Sequence, residues 1–430
     1  MFGSDSDSSS VLDVIEKKRD GQELVGRDFR IVCYSTESTH PAQIGAFLMA
    51  CQINGLSKRE VSLLTEEMMY SGASFEPKPG RVDKHSTGGV GDKMSIILAP
   101  ALRAAGATVP MIAGRGLEHT GGTIDKLEAI PGFNTSLSFE EMEENECFIA
   151  RQNEDIAPAD AVLYRTRDIT GTVANVGLIT ASIISKKAAE GLERLVLDVK
   201  CGNAAFMKVE SEATELAKSM VEAGTALGID VTAQITRMDQ PIGNMIGNAH
   251  EIAECIDCLK GQGPYDTMEL VYMQADALGY DIREVIANGN ALDEFREMCI
   301  RQGVDEMTAD LLIAEPWSVL QRAPVEHRLQ AHATGFITEM NGLLIGQMLC
   351  EMGAGRNGDY DDLVSGVGLE LIAKVGDFVK QGDIWAILDW DRLRGQGCEF
   401  YLDEAISISD KPPMKQPERL IQTITIDDCK

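Results

Sequence analysis

"GLERLVLDVKCGNAAF" at residues 191–206, followed by "SEATELAKSMVEAGTALGIDVTAQI" at 211–235, decides the fold class. The first stretch is a short apolar run that stops at a glycine loop, and the second is amphipathic at helical spacing before it turns apolar again. Strand, glycine turn, helix and strand in succession predict an α/β architecture. The same alternation runs back through "VPMIAGRG" at 109–116. Ligands collect where the strands of such a sheet end in glycine-rich turns, so the loops after Val82, Ile112 and Val199 are expected to face one crevice.

Outside that region the periodicity changes. Val11, Leu12 and Ile15 begin an apolar helical stripe. "STHPAQIGAFLMAC" at 38–51 puts Pro41 where a first helical turn tolerates it and places Ile44, Phe47, Leu48 and Cys51 on one buried face. Ser57 and Glu60 form a capping box opening a helix that carries Val61, Leu64 and Met68. "SGASFEPKPG" at 71–80 then reads as a linker. A further helical stretch, 168–190, interrupts the α/β pattern. Beyond about residue 333, "GVGLELIAKVGDFVKQGDIWAILD" alternates around Gly376 and Gly382 and predicts a β-rich module. It is similar to the hairpin-built domains that carry biotin or lipoyl groups, but it has no acceptor-lysine motif, which favours a structural or dimer-supporting role.

The predicted organisation is a discontinuous all-helical domain (1–70 and 160–190), a linker (71–80), a large mixed-sheet α/β domain (81–155 and 193–325) and a C-terminal β-rich α+β subdomain (330–430). A chain of 430 residues with 44% apolar content has the length for two or three such domains. Its 39 basic against 68 acidic residues give a net charge of -29, which disfavours contact with nucleic acid or an anionic membrane. The polar, acidic start "MFGSDSDSSS" and the lack of a long apolar run predict a soluble, cytoplasmic protein with a disordered first ten residues. Ten cysteines at irregular spacing predict reduced thiols, and the Cys255–Cys258 pair is expected to pack within a helix.

The chemistry sits in two loops. "DKHSTGGVGDKMS" at 83–95 uses Gly88, Gly89 and Gly91 to let backbone approach a ligand, while Lys84, Ser86 and Ser95 add a charge and two hydroxyls, a set suited to an oxyanion. Its spacing fits neither the nucleotide P-loop nor the dinucleotide fingerprint. "AGRGLEHTGGTIDKLEAIPGF" at 113–133 repeats the chemistry with Arg115, Thr120, Gly121, Gly122 and Thr123. Ser182 and Lys186, four apart in a helical stretch, project from one face.

"KHSTGGVGD", "GRGLxHTGGTxDKLE", "TRDIT", "LITASI" and "SKKxAEGL", in this order and spacing, resemble the thymidine and pyrimidine-nucleoside phosphorylases, the animal-type members most of all. The resemblance runs over nearly the whole chain. It implies an α domain and an α/β domain flanking a cleft, a homodimer, and reversible phosphorolysis of thymidine or deoxyuridine to free base and 2-deoxy-α-D-ribose 1-phosphate, with inorganic phosphate as co-substrate and no cofactor. It further implies that Lys84, Ser86, Ser95 and Thr123 bind phosphate, that Tyr164, Arg167, Ser182 and Lys186 hold the pyrimidine, and that His85 is the proton donor beside a base carbonyl. The catalytic set would be His85, Arg167 and Lys186, the two cations easing departure of the base. Phosphate-binding and base-binding residues then lie in different domains, and the connections at 71–80, 153–159 and near Glu190 are expected to let those domains close.

The sequence departs from the family pattern at Ala113, where a serine hydroxyl usually donates to phosphate, and at Glu118, where glycine is common. Glu118 is expected to point away or to pair with a cation. Lys93 stands near where broader-specificity bacterial relatives hold a potassium ion, so its ammonium is expected to replace that ion and no metal is predicted. His119, in a glycine-rich turn, either takes part or simply caps backbone groups, and His40, His250, His327 and His332 have no motif context. The alternatives are a broader phosphorylase that also accepts uridine, an anthranilate phosphoribosyltransferase, disfavoured because no acidic pair is placed for magnesium and pyrophosphate, and a weakened nucleoside-binding relative.

Overall fold

The structure is a computed structural model and describes residues 10–36, 38–116, 118–356, 362–414 and 418–430. Residues 1–9 of the segment expected to be disordered lie outside the described residues, and Ser10 is ordered. It caps helix α1 (Val11–Arg19) by accepting from the Asp13 amide at 3.3 Å, while the Asp13 carboxylate accepts from the Ser10 amide at 2.6 Å. Helices α2 (Gly26–Tyr34), α3 (Pro41–Asn54) and α4 (Lys58–Met69) follow. His40 turns out to be the N-cap of α3, with its Nδ1 accepting from the Ala42 amide. The Ser57–Glu60 box forms as read, and Glu60 also meets Lys18 at 2.7 Å and the Leu24 amide at 2.9 Å.

Residues 70–81 contain no helix, and the chain then enters β1 (Val82–Ser86), α5 (Met94–Ala104), β2 (Val109–Ala113), the short helices α6 (Thr123–Leu127) and α7 (Phe139–Glu144), and β3 (Cys147–Arg151). It returns to the helical domain as α8 (Pro158–Thr170) and α9 (Val176–Ala189). The expected single helical stretch is therefore two helices, broken where Gly171 ends α8 in the left-handed conformation that glycine tolerates. Leu163, Leu178 and Ala181 of α8 and α9 join Phe29, Phe47, Leu48 and Leu64 in one buried core, which makes the helical domain discontinuous in sequence.

The chain crosses back as β4 (Arg194–Cys201), α10 (Glu210–Ala226) and β5 (Asp230–Arg237). Strands β1, β4 and β5 are parallel, as are β2 and β3, and a parallel bridge between Arg81 and Thr108 joins the two groups in the order β3-β2-β1-β4-β5. The C-terminal ends of β1, β2 and β4 consequently share one edge. After β6 (Met245–Ile246) come α11 (Asn248–Leu259), α12 (Tyr265–Ala277), α13 (Arg283–Ala287), α14 (Asn290–Arg301) and α15 (Glu306–Ala314). Several of these pack on α5, which is buried along most of its length. Cys255 and Cys258 are buried thiols of α11, as expected.

The β-rich C-terminal part holds β7 (Val325–Gln330), β8 (Gly335–Met340), α16 (Gly342–Leu349), β9 (Gly368–Leu371), β10 (Phe378–Val379), β11 (Ile384–Trp390), α17 (Cys398–Leu402) and β12 (Ile406–Ser409). Two antiparallel sheets result, β6-β9-β11-β7 and β10-β8-β12. One element departs from the reading that gave all of 330–430 to this subdomain. Strand β13 (Leu420–Ile424) leaves it and pairs antiparallel with β5, covering the edge of the main sheet. His250 of α11, buried with its Nε2 3.0 Å from Asp389 of β11, links the two parts.

Candidate active site

Alternation along β1 sorts the site. Successive side chains of a strand point to opposite faces. Lys84 and Ser86 fall on one face, where the Lys84 ammonium lies 3.3 Å from Asp92 and 3.4 Å from the Ser95 hydroxyl, and the Ser86 hydroxyl also bonds Asp92. Asp83 and His85 fall on the other, toward α9. The loop between β1 and α5 turns back through Gly88 and Gly91, both at positive φ. A Cβ on Gly91 would collide with the Ile242 carbonyl, and one on Gly88 would lie 3.5 Å from the Thr120 hydroxyl. Glycine thus allows the close backbone approach of Gly91 to Ile242 and the left-handed turn at Gly88 that sets the first loop beside Thr120 of the second.

Three of the four residues expected to bind phosphate come together, Lys84 and Ser86 on Asp92 and Ser95 on the Lys84 ammonium. The fourth, Thr123, begins α6 on the second loop and is half-buried. Sequence reasoning passed over the charges beneath this cradle. Burial raises the Asp92 pKa, but Lys84, Lys200 and Lys126 outweigh it and hold the carboxyl below the ordinary range. The Lys126 ammonium donates to the Asp92 carbonyl at 2.5 Å and lies 3.0 Å from Glu251, while Lys200 bonds Asp198 at 2.5 Å and its amide donates to Thr87 at 2.9 Å. The visible signal was a lysine and an aspartate in each of the stretches 83–95, 113–133 and 191–206, with no indication that they would be buried together.

The residues expected to hold the base, Tyr164, Arg167, Ser182 and Lys186, lie on α8 and α9. The Lys186 ammonium contacts the Ser182 hydroxyl at 3.2 Å and is paired with Asp160 of α8, a partner the sequence reading also missed. Arg167 is buried and donates to the Thr172, Leu178 and Val173 carbonyls at 3.3, 3.1 and 2.6 Å. A guanidinium has five N–H donors, so two remain beyond these three bonds. Arg167 thereby splints the break between α8 and α9, with its charge 5.8 Å from the centre of the Tyr164 ring. His85 is half-buried between the two groups, and burial together with Lys187, Lys186 and Lys84 pushes its imidazole well below its usual pKa. It is neutral at pH 7. A proton donor there is a neutral N–H rather than an imidazolium, unless a bound anion restores the charge.

The departures have local explanations. Glu118 is exposed, as expected of a side chain that points away, and sits at φ +52°, the left-handed conformation that glycine adopts without cost. Ala113 ends β2 half-buried and brings no hydroxyl. The Lys93 ammonium, wholly buried, is held by the Met245 carbonyl at 2.7 Å, the Ile242 carbonyl at 3.3 Å and the Glu254 carboxylate, a cation-binding set filled by the chain itself. His119 accompanies the second loop, its Nε2 3.0 Å from the Ala204 carbonyl in the turn after β4.

Residues 12–72 match the helical bundle domain of the glycosyl transferase family, 78–300 its a/b domain, and 336–388 the pyrimidine nucleoside phosphorylase C-terminal domain. The chain is 41% identical to the thymidine phosphorylase of Homo sapiens, over 96% of this chain and 91% of that protein. It is 38% identical to the pyrimidine-nucleoside phosphorylase of Staphylococcus haemolyticus, over 93% and 96% respectively. The chain belongs to the thymidine and pyrimidine-nucleoside phosphorylase family. A crystal structure of anthranilate phosphoribosyltransferase from Thermus thermophilus superposes with a TM-score of 0.55 at 17% identity, covering 67% of this chain and 99% of that one. That likeness establishes a shared fold; the additional C-terminal match sets this chain with the phosphorylase family.

Proposed function

We propose that the protein is a pentosyltransferase catalysing reversible phosphorolysis of thymidine and deoxyuridine. The observation that carries the reading is the sorting along β1: Lys84 and Ser86 face the anion cradle, while the intervening His85 faces the helix that bears Ser182 and Lys186. Phosphate held by Lys84, Ser86, Ser95 and Thr123 attacks the anomeric carbon. The new C–O bond forms as the bond to the base nitrogen breaks, and the electron pair leaves with the base through an oxocarbenium-like transition state. Arg167 and Lys186 stabilise the charge that builds on the pyrimidine, Ser182 and Tyr164 position it, and the His85 N–H donates to a ring carbonyl. The products are the free base and 2-deoxy-α-D-ribose 1-phosphate.

We further propose a cytoplasmic homodimer with no resident metal, the Lys93 ammonium filling the cation position. Leu12 of α1, Met49 and Ile53 of α3 and Ile169 of α8 are exposed apolar side chains on the helical domain, as a contact between two copies would use. The 38% identity to a pyrimidine-nucleoside phosphorylase favours testing uridine as a second substrate. Mixing the purified protein with phosphate and thymidine or uridine and following ultraviolet absorbance decides substrate choice, with Arg167→Ala as the site control. Binding of nucleoside with no turnover would replace this reading with that of a binding protein.

A further inference from the structure

Behind the reacting residues lies a buried cluster with one cation and two carboxylates. The Lys187 ammonium contacts Asp83, Glu190 Oε1 at 2.8 Å and the Ile112 carbonyl at 2.7 Å. Glu190 Oε1 also accepts from the Ile112 amide at 3.1 Å, and Asp83 Oδ1 accepts from the Lys84 amide at 2.6 Å. All three side chains are at most 2% exposed. Each belongs to a different part of the site: Asp83 precedes Lys84 and His85 on β1, Ile112 precedes the second glycine loop, and Lys187 follows Lys186 on α9. One ammonium therefore ties both anion-loop strands to the base-facing helix.

The hydrogen-bond count is incomplete. Glu190 Oε2 is buried and has no partner while the group is taken as a carboxylate. The Lys187 ammonium holds Asp83 and Glu190 side by side, and Asp83 is itself only an acceptor, so it can satisfy Glu190 Oε2 only if a proton lies between them. Burial and Asp83 push Glu190 well above the usual carboxylate range, against the opposing pull of Lys187.

We propose that Glu190 is a protonated carboxylic acid that donates to Asp83, and that the resulting neutral Lys187–Asp83–Glu190 cluster is the rigid joint positioning both half-sites. Lys187 and Glu190 act through their neighbours and touch neither reactant. They are positioning residues. The joint sits where α9 ends and the chain passes back to the α/β domain, with the Glu190 carbonyl accepting from Arg81 at 3.4 Å, so closure would turn about it. The positioning role rests on the phosphorolysis reading, whereas the protonation state does not.

Infrared spectroscopy of the intact protein at neutral pH tests the protonation directly. A protonated-carboxyl carbonyl band, shifted in deuterated water and lost in Glu190→Gln, is expected; its absence from the wild type overturns the proposal whatever the enzyme turns over. Glutamine can accept from the Ile112 amide and donate to Asp83, so Glu190→Gln should keep kcat and both KM values within about threefold. Lys187→Met should lower kcat/KM for phosphate and for nucleoside together, by about a hundredfold, as misplacement of reactants does. A Lys187→Met protein with a lower melting temperature but unchanged kinetics, or a Glu190→Gln protein impaired like it, would sink the positioning role. If Lys187→Met does not fold, the infrared band and the Glu190→Gln kinetics still decide the matter.

Discussion

At Lys93 a single ammonium occupies the position proposed for a cation. Its ammonium is enclosed by two carbonyls and Glu254, and although burial pushes its pKa down, Glu254 and Glu251 outweigh that and keep it charged. Lys93→Thr should leave Glu254 buried without a counter-charge and cost about 3–5 kcal/mol in denaturant unfolding. Potassium chloride should recover part of that loss, and an equal concentration of choline chloride should not. His85 gives a second prediction with a definite sign. Its folded pKa is depressed, so below about pH 6.5 the unfolded chain takes up a proton that the folded protein refuses. Stability should fall with decreasing pH there by about 1.4 kcal/mol per unit at most, and His85→Gln should flatten that slope in pH-dependent melting. Both residues were legible as candidates from motif position. What the sequence did not show was the company each would keep: Glu254 is far from Lys93 along the chain, and the depressed imidazole depends on lysines from two domains.

At the scale of an element, β1 turns Lys84 and Ser86 to one face and Asp83 and His85 to the other, and the proposed function gives each face its own reactant. Ser86→Ala should raise KM for phosphate and leave KM for nucleoside nearly unchanged, while Ser182→Ala on α9 should do the reverse; losing one hydrogen bond to a charged group costs roughly 1.5–3 kcal/mol, about ten- to a hundredfold for the phosphate case. Steady-state kinetics with each substrate varied separately would show this, and equal effects on both KM values would contradict it. Period-two alternation makes such a division readable as soon as the strand is recognised. The Ser182–Lys186 pairing was equally readable, because a four-residue step returns to the same helix face. The break between α8 and α9 was less so, since an arginine that splints a helix end with carbonyl contacts has no short-range signature. Of helices α11 to α15, only the Cys255–Cys258 stretch was read as helical: α11 carries an apolar stripe at Ile252, Cys255, Ile256 and Leu259, but its burial nearly all round depends on segments distant in the chain.

Across the whole molecule, three connections between the domains run side by side. Ala73 donates to the Asp155 carbonyl at 2.6 Å, Phe75 to Ala189 at 2.8 Å and Lys78 to Gly191 at 3.4 Å, and a Cβ at Gly72 would collide with the Asp155 carbonyl and Pro158. Connecting segments that run so close together can act as a narrow hinge while the domains rotate. Phosphate and nucleoside together should reduce the radius of gyration in small-angle scattering, and Gly72→Ala should weaken that response; identical curves with and without both reactants would count against closure. The sequence by itself determined the fold class and the helical, α/β and β-rich segments, and it singled out the residues proposed for each reactant, because periodicity, glycine turns and motif order are local properties. Only the tertiary structure decided that β13 returns to the main sheet, that Asp92, Asp160 and Glu254 answer particular lysines, and that Lys187, Asp83 and Glu190 meet in one place. Burial and charge pairing depend on which distant segments come together, and the energy of an ionisable group is set by those neighbours rather than by its place in the chain.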